Sequence, residues 1–338
     1  MKQTKLPSLD GLRGIAILIV IFAHFNNHWH FKFLGLLVNA GIFGVYIFFV
    51  LSGFLITTLL LRERDENHNI NLSNFYKRRA LRIVPLSWFY VIVTILISVI
   101  VQKPSLIENF WIPSLYLVNI SGIGAVSYNF LHYWSLSAEE QYYLIIPPFM
   151  KYKPNQIKII LFIILILTFS VRFLSRYSSS FYISVLIDIS RNMDGLLIGS
   201  ILALFYHTGK IKINQLLLKY RDVINILGLL MLMILNHETN YLILKIFANH
   251  TFYSLIIGFI IVLNLQPSED YSFRFLNSKI LSQIGVISYS IYIWQQLFSS
   301  DIIPFPTIIN FLLTFIVAWL SYHYFEKPFL KLKKRYAT

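Results

Sequence analysis

Two ionisable residues, Arg13 and His24, lie in the otherwise apolar stretch GLRGIAILIVIFAHF. They are eleven residues apart, so on an α-helix they share one face and lie about 16 Å apart along the axis. Imidazole titrates near neutral pH and can take a proton from a hydroxyl, and a guanidinium suits a phosphate ligand. We interpret His24 as a candidate general base and Arg13, which Asp10 could pair with, as a candidate phosphate ligand. The alternative is that Arg13 only snorkels to the membrane surface and His24 only bonds a neighbouring helix.

A second basic cluster lies in NFYKRRALRIVP, residues 74–85. Arg79 and Arg82 are three residues apart and share a helix face, so their guanidinium groups could clamp phosphates. Basic residues just before an apolar span also anchor a protein to anionic lipid headgroups, and from this stretch alone that interpretation is favoured.

Two acidic residues, Glu139 and Glu140, lie in HYWSLSAEEQYYLIIPP at the start of another apolar span. One carboxylate could orient His24 or bind sugar hydroxyls; the alternative is a charge that only stabilises the N-terminal end of the helix dipole. Together the motifs predict arginines toward the inner membrane surface, imidazole within the membrane and glutamates toward the outer surface. A group transfer across the membrane would need this order.

The composition places these motifs in a membrane protein. Of 338 residues, 57% are hydrophobic and 13% charged, and the mean hydropathy is +0.64. A soluble domain of this composition would have too little polar surface to cover itself. The chain has no cysteine, which excludes disulfides and a thiolate nucleophile, and we predict no metal site.

The apolar runs are long and continuous, which predicts helices and not strands. We predict an all-α integral membrane protein, a bundle of about ten transmembrane helices. The spans are roughly 12–30, 39–61, 83–101, 133–150, 158–175, 191–207, 222–236, 249–265, 281–299 and 307–325. Prolines interrupt the apolar residues 106–120, which are expected to lie at the interface or to re-enter the membrane.

The charge distribution predicts the topology. With the N-terminus inside, 23 of the 29 lysines and arginines fall on inner segments and four on outer ones. This asymmetry predicts that both termini are cytoplasmic. We also expect the chain to lie in the cytoplasmic (inner) membrane. The topology also accounts for the net charge of +14, so we predict no nucleic-acid partner. We interpret residues 1–338 as a single membrane domain with a core at about 7–329 and a basic tail at 330–338.

Two further motifs are interpreted as structural. Gly195 and Gly199 in RNMDGLLIGSILAL form a face of small residues suited to close helix packing. Glu326 in SYHYFEKPF could balance the arginine cluster of residues 78–82 on the same side of the membrane, and Pro328 is expected to end the last helix.

The motifs resemble, in their order along the chain, those of the acyltransferase-3 family of polytopic membrane O-acyltransferases, which modify sugars of surface polysaccharides and lipopolysaccharide. The resemblance spans Pro7 to Phe329. The matching pieces are LDGLRGIAILIVIFAHF, GVYIFFVLSGFLI, FYKRRALRIVP, YWSLSAEEQYYL, RNMDGLLIGSILA, ISYSIYIW and FEKPF.

The resemblance implies roles for the same residues. The family's basic residue and histidine fall on Arg13 and His24, its RxxR motif on Arg79 and Arg82, and its glutamates on Glu139 and Glu140. It implies acetyl-CoA or another acyl-CoA as a cytoplasmic co-substrate, no permanently bound cofactor, and a glycan or glycolipid as the substrate that is acylated. Family members often carry a fused SGNH hydrolase-like domain that this sequence lacks. The chain is therefore expected to act alone or to pass its acyl group to a separate partner acyltransferase.

Two positions depart from the family pattern. Gln295 stands where the family commonly has histidine, so a base role at that position is not expected. Tyr46 takes a place often filled by a smaller or acidic residue, which could alter the glycan or acyl pocket. The competing interpretation of the whole chain is an exporter of a glycolipid or polysaccharide, because charges within the membrane suit a transporter equally well.

Overall fold

The computed structural model describes residues 6–29, 41–120, 122–174, 190, 193–211, 213–236, 248–300 and 302–336. These residues form helices, turns and loops and contain no β-strand, which confirms the predicted all-α class. The longer helices are α1 (Leu9–Trp29), α2 (Gly41–Asn67), α3 (Leu72–Ile100), α4 (Tyr133–Tyr152), α5 (Ile157–Leu174), α6 (Met193–His207), α7 (Arg221–Asn236), α8 (Tyr253–Leu263), α9 (Tyr271–Leu276), α10 (Lys279–Val286), α11 (Ser288–Phe298), α12 (Thr307–Leu320) and α13 (Lys327–Lys333).

Among the residues that the structure describes, three helical segments are long and apolar enough to cross a membrane. They are Gly41–Asn67, Leu72–Ile100 and the continuous run Thr307–Tyr336. Each of the ten predicted spans overlaps one or two of the helices α1 to α13, so the predicted positions of the helices are confirmed. The ten membrane crossings and the cytoplasmic termini stay predictions. Residues 106–120 form only short turns, including the 3₁₀ turn Pro104–Ile107 and the single helical turn Trp111–Ser114.

The start of α3 and the end of the last helix differ from the prediction. Helix α3 begins eleven residues before the predicted span, where the Asn71 side chain accepts a hydrogen bond from the Asn74 amide and caps the helix. Pro328 does not end the last helix, because it lies in the first turn of α13, where its missing N–H costs no helical hydrogen bond. The π-helical turn Ser321–Glu326 joins α12 to α13.

The chain forms two compact units, each built from separate stretches of sequence. The first contains the described residues up to Leu61, those of Lys158–Phe173 and those between Arg191 and Ser288. The second contains the described residues of Arg62–Ile157, Leu174, Ser190 and Tyr289 onward. The candidate residues are divided between them: Arg13 and His24 belong to the first unit, and Arg79, Arg82, Glu139 and Glu140 to the second.

Close backbone approaches hold the first unit together. A Cβ added to Gly285 on α10 would lie 1.7 Å from the Asp10 carbonyl oxygen, so α1 and α10 touch where only glycine fits. A Cβ at Gly199 on α6 would lie 2.1 Å from the carbonyl oxygen of Val50 on α2. This contact confirms the predicted face of small residues on α6.

Helices α3 and α4 of the second unit run antiparallel and are tied by tyrosine hydroxyls. Tyr76 on α3 donates to the Leu144 carbonyl over 3.1 Å, and Tyr133 on α4 donates to the Ser87 carbonyl over 2.7 Å. These two bonds fix the register of the pair. They place the α3 segment around residue 79 opposite the α4 segment around residue 140.

Candidate active site

Arg79 lies at the centre of a charged cluster between α3 and α4. Its Nη2 donates to Glu139 Oε2 over 3.0 Å, and its Nε donates to Glu140 Oε1 over 3.1 Å. The guanidinium carbon lies 3.9 Å from the centre of the Tyr143 ring, and the Tyr143 hydroxyl donates to Glu139 Oε2 over 3.1 Å. We call these four residues the Arg79 cluster. The planar guanidinium uses its edge for two carboxylates and its face for an aromatic ring, which a lysine could not do.

The cluster is largely shielded from solvent. The side chains of Arg79, Glu139 and Glu140 are 13%, 15% and 22% exposed. The predicted separation of arginines and glutamates toward opposite membrane surfaces is therefore wrong for Arg79, because the antiparallel register brings the three groups to one level.

Arg82 interacts with a different acidic residue. It lies near enough to Glu326, in the turn between α12 and α13, for their charges to interact. Glu326 also accepts a hydrogen bond from the Ser290 hydroxyl on α11. The predicted balance between Glu326 and an arginine is confirmed, and the neighbouring Tyr289 ties α11 to α3 by donating to the Ile83 carbonyl over 2.7 Å.

The other two basic residues of this motif serve as anchors within the protein. Arg78 Nη2 donates to Glu63 Oε2 over 2.7 Å, and its Nη1 donates to the Tyr336 carbonyl over 2.7 Å. The Lys77 ammonium lies 5.2 Å from the centre of the Tyr336 ring. Within this basic motif, Arg78 has a structural role, whereas Arg79 and Arg82 interact with acidic side chains from other parts of the chain.

His24 has a defined tautomer on α1. Its Nδ1 lies 2.9 Å from the Val20 carbonyl oxygen, which can only accept, so Nδ1 carries the hydrogen. In the neutral ring the lone pair then lies on Nε2, the nitrogen that could take a proton from a substrate. Because Val20 is one turn earlier in the same helix, this bond orients the ring without linking it to another helix.

Arg13 forms the pair expected from its spacing. Its Nη1 lies 3.6 Å from Asp10 Oδ1, and the two side chains are 21% and 16% exposed. The predicted pairing is confirmed. The shared face with His24 follows from the regular α-helix that contains both residues, and the phosphate-binding role of Arg13 stays a prediction.

A comparison with protein families decides the kind of protein to which these groups belong. A profile described as an acyltransferase domain matches residues 6–325, nearly the whole chain. The chain belongs to the acyltransferase-3 family. The resemblance found in the motifs is confirmed, and the matched region contains Arg13, His24 and the whole Arg79 cluster.

Relatives of this acyltransferase-3 chain carry names that state an activity. They include O-acetyltransferase OatA of Staphylococcus aureus strain NCTC 8325 and of strain COL, each 30% identical over 361 aligned residues. The alignment covers 96% of this chain and 57% of each relative, so the chain spans little more than half the length of the curated relatives it matches. No solved structure matches the chain.

Several residues that contact the site residues were not predicted from the sequence motifs. Tyr143 is not among the candidate residues, although its position four residues after Glu139 places it on the same helix face. The Tyr46 hydroxyl, at a position that departs from the family pattern, contacts His250 Nδ1, and no spacing in the sequence signals that pairing. Asp194 accepts a hydrogen bond from the Thr168 hydroxyl over 3.2 Å and another from Thr251, which supports a structural role.

Proposed function

We propose that this protein is a membrane O-acetyltransferase that moves an acetyl group from acetyl-CoA to a hydroxyl group of a cell-surface or exported glycan. Family membership and the names of the relatives support O-acetyl transfer. The observation that carries the proposal is the Arg79 cluster, a set of ionisable groups held between helices of an apolar chain. Such groups are expensive in a membrane, and they persist where they bind or react with a substrate.

His24 supplies the proton transfer in this proposal. Nε2 takes the proton from the glycan hydroxyl as its oxygen attacks the thioester carbonyl of the acyl-CoA. The new C–O bond forms, the C–S bond breaks, and the coenzyme leaves as a thiol after the proton returns to sulfur. In a variant of this route, the imidazole carries the acyl group briefly before the hydroxyl attacks.

Arg13, Arg79 and Arg82 bind the phosphates of the donor in this proposal. Arg82 interacts with the Glu326 carboxylate, and Arg79 holds two carboxylates, so a donor phosphate at Arg79 would exchange with a carboxylate. We propose that Glu139 and Glu140 position Arg79 for this exchange. The role of these glutamates toward His24 or the sugar stays a prediction.

In the proposed topology, the two substrates reach the protein from opposite sides of the membrane. Acetyl-CoA is cytoplasmic, and the 23-to-four distribution of basic residues supports a ten-helix chain in the cytoplasmic membrane with both termini inside. Because the chain has no cysteine, single cysteines can report this topology without further mutation. A membrane-impermeant maleimide should label Lys103→Cys in intact cells and Lys334→Cys only after permeabilisation; the reverse pattern would contradict the topology.

The proposed activity is tested by supplying labelled acetyl-CoA to membranes that contain the protein. We expect alkali-labile label in the surface glycan, and none in membranes from a deletion strain. Label that stays in the coenzyme fraction of both membranes would overturn the proposal.

A further inference from the structure

Buried polar atoms that lack a partner collect near one end of α11 in the second unit. The indole Nε1 of Trp294, both polar side-chain atoms of Gln295 and Oδ1 of Asn129 have no hydrogen-bond partner in the part of the chain that the structure describes. These side chains are buried, because Trp294 is 4% exposed, Gln295 0% and Asn129 1%. A buried polar group is nearly always bonded in a native protein, so four such atoms in one region point to a ligand.

Ring contacts show that two of these residues border one site. The Trp294 ring lies 5.5 Å from the Tyr90 ring, centre to centre, and the Tyr90 ring lies 5.4 Å from the His132 ring. The Tyr90 hydroxyl donates to the main-chain carbonyl of Asn129 over 2.9 Å, which places Asn129 beside the same ring.

Helix geometry puts Gln295 on the same side. Tyr292 contacts the His132 ring at 5.6 Å, so Tyr292 and Trp294 both face the segment around His132 and Tyr90. On an α-helix Gln295 lies about 100° from Trp294 and about 60° from Tyr292, between the two. Its amide is therefore aimed at the region that Asn129 and Tyr90 border.

The chemistry of the unpaired atoms selects the ligand. Trp294 offers a hydrogen, Gln295 offers both a donor and an acceptor, and Asn129 offers an acceptor oxygen. An ionised phosphate or a thioester has no hydrogen to donate, so neither could satisfy the two amide oxygens. A hydroxyl group donates and accepts at once, and a sugar presents several of them.

We propose that Trp294, Gln295 and Asn129 form a subsite that binds hydroxyl groups of a neutral sugar in the glycan substrate. Along α3 this subsite at Tyr90 lies about 16 Å from Arg79, which separates a hydroxyl-binding end from a charged end. The inference rests on the proposed function and adds to it the residues that recognise the glycan.

The test compares Gln295→Leu with the wild-type protein, and uses Gln283→Leu on α10, an exposed glutamine, as the matched control. Trp294→Phe, which keeps an aromatic ring and removes the indole N–H, is a second variant. The probe is surface glycan purified from a deletion strain. Initial rates of transfer from labelled acetyl-CoA are measured against glycan and against acetyl-CoA, and glycan binding is measured separately without acetyl-CoA.

We expect Gln295→Leu to raise the KM for glycan by about tenfold, the loss of one hydrogen bond to a hydroxyl, and to leave the KM for acetyl-CoA unchanged. The same variant should raise the melting temperature of the unliganded protein, because it removes an unpaired buried amide; a structural role predicts a lower one. Trp294→Phe should also raise the KM for glycan.

Three results would overturn the subsite: an unchanged KM for glycan in both variants, a raised KM for acetyl-CoA alone, or equal effects of Gln283→Leu. Weaker glycan binding by Gln295→Leu in a protein that transfers no acetyl group would support the subsite and refute the proposed function. A failure of the proposed subsite and a failure of the proposed function are therefore distinguishable.

Discussion

Replacing Arg79 by leucine should lower the free energy of unfolding by about 3–5 kcal/mol and abolish acyl transfer. The guanidinium holds Glu139 and Glu140 and stacks on Tyr143, so its removal leaves two shielded carboxylates without their cation. Thermal unfolding of the detergent-purified protein measures the first effect, and transfer from labelled acetyl-CoA measures the second.

A compensated variant separates folding from chemistry. When Arg79→Leu is combined with Glu139→Gln and Glu140→Gln, the carboxylate charges are gone, so stability should largely return while transfer stays absent. The neighbouring Arg78 provides the matched control, since it also forms an ion pair, at 2.7 Å from Glu63. Arg78→Leu with Glu63→Gln should keep transfer. An Arg79→Leu protein with wild-type stability and activity would show that the Arg79 cluster has neither role.

His24→Ala should lower kcat for transfer by about 10²- to 10⁴-fold, the usual contribution of a general base. The melting temperature should change little, because the ring bonds only the Val20 carbonyl of its own helix among its described hydrogen bonds. His24→Gln should be as inactive as alanine, since glutamine cannot take up the proton. Rates with saturating acetyl-CoA and glycan separate this loss of kcat from weaker binding.

His323 provides the control for this experiment. Its Nδ1 lies 3.0 Å from the carbonyl oxygen of Trp319, four residues earlier, so it makes the same kind of hydrogen bond as His24 at a position outside the proposed site. His323→Ala should transfer acetyl at the wild-type rate. Undiminished transfer by His24→Ala, or equal losses in the two variants, would remove His24 from the mechanism.

The local features of the fold could be predicted from the sequence. Window length placed a helix in every predicted span, and helical spacing predicted the Arg13–Asp10 pair. These features depend on residues within a few turns of one another. The span that starts at residue 83 was too short at its N-terminal end, because the charges at Lys77 to Arg82 ended the apolar window although the helix begins at Leu72.

The long-range contacts could not be predicted in the same way. Arg79 and Glu139 are 60 residues apart, and their pairing depends on the antiparallel register that tyrosine hydroxyls fix between α3 and α4. A rule that counts lysines and arginines per loop assigns each loop to a membrane side, and it carries no information on the depth of a side chain. The unpaired amide of Gln295 could not be predicted from the sequence either, because its burial depends on which helices surround it.

The central claim, acetyl transfer to a glycan, is tested most directly by mass spectrometry of the surface glycan from a deletion strain and from the same strain complemented with the wild-type gene. We predict that the deletion removes an O-acetyl ester while the polymer stays at its normal amount, and that complementation restores the ester. Loss of the polymer itself would indicate export and would contradict the account, as would a glycan whose esters are unchanged.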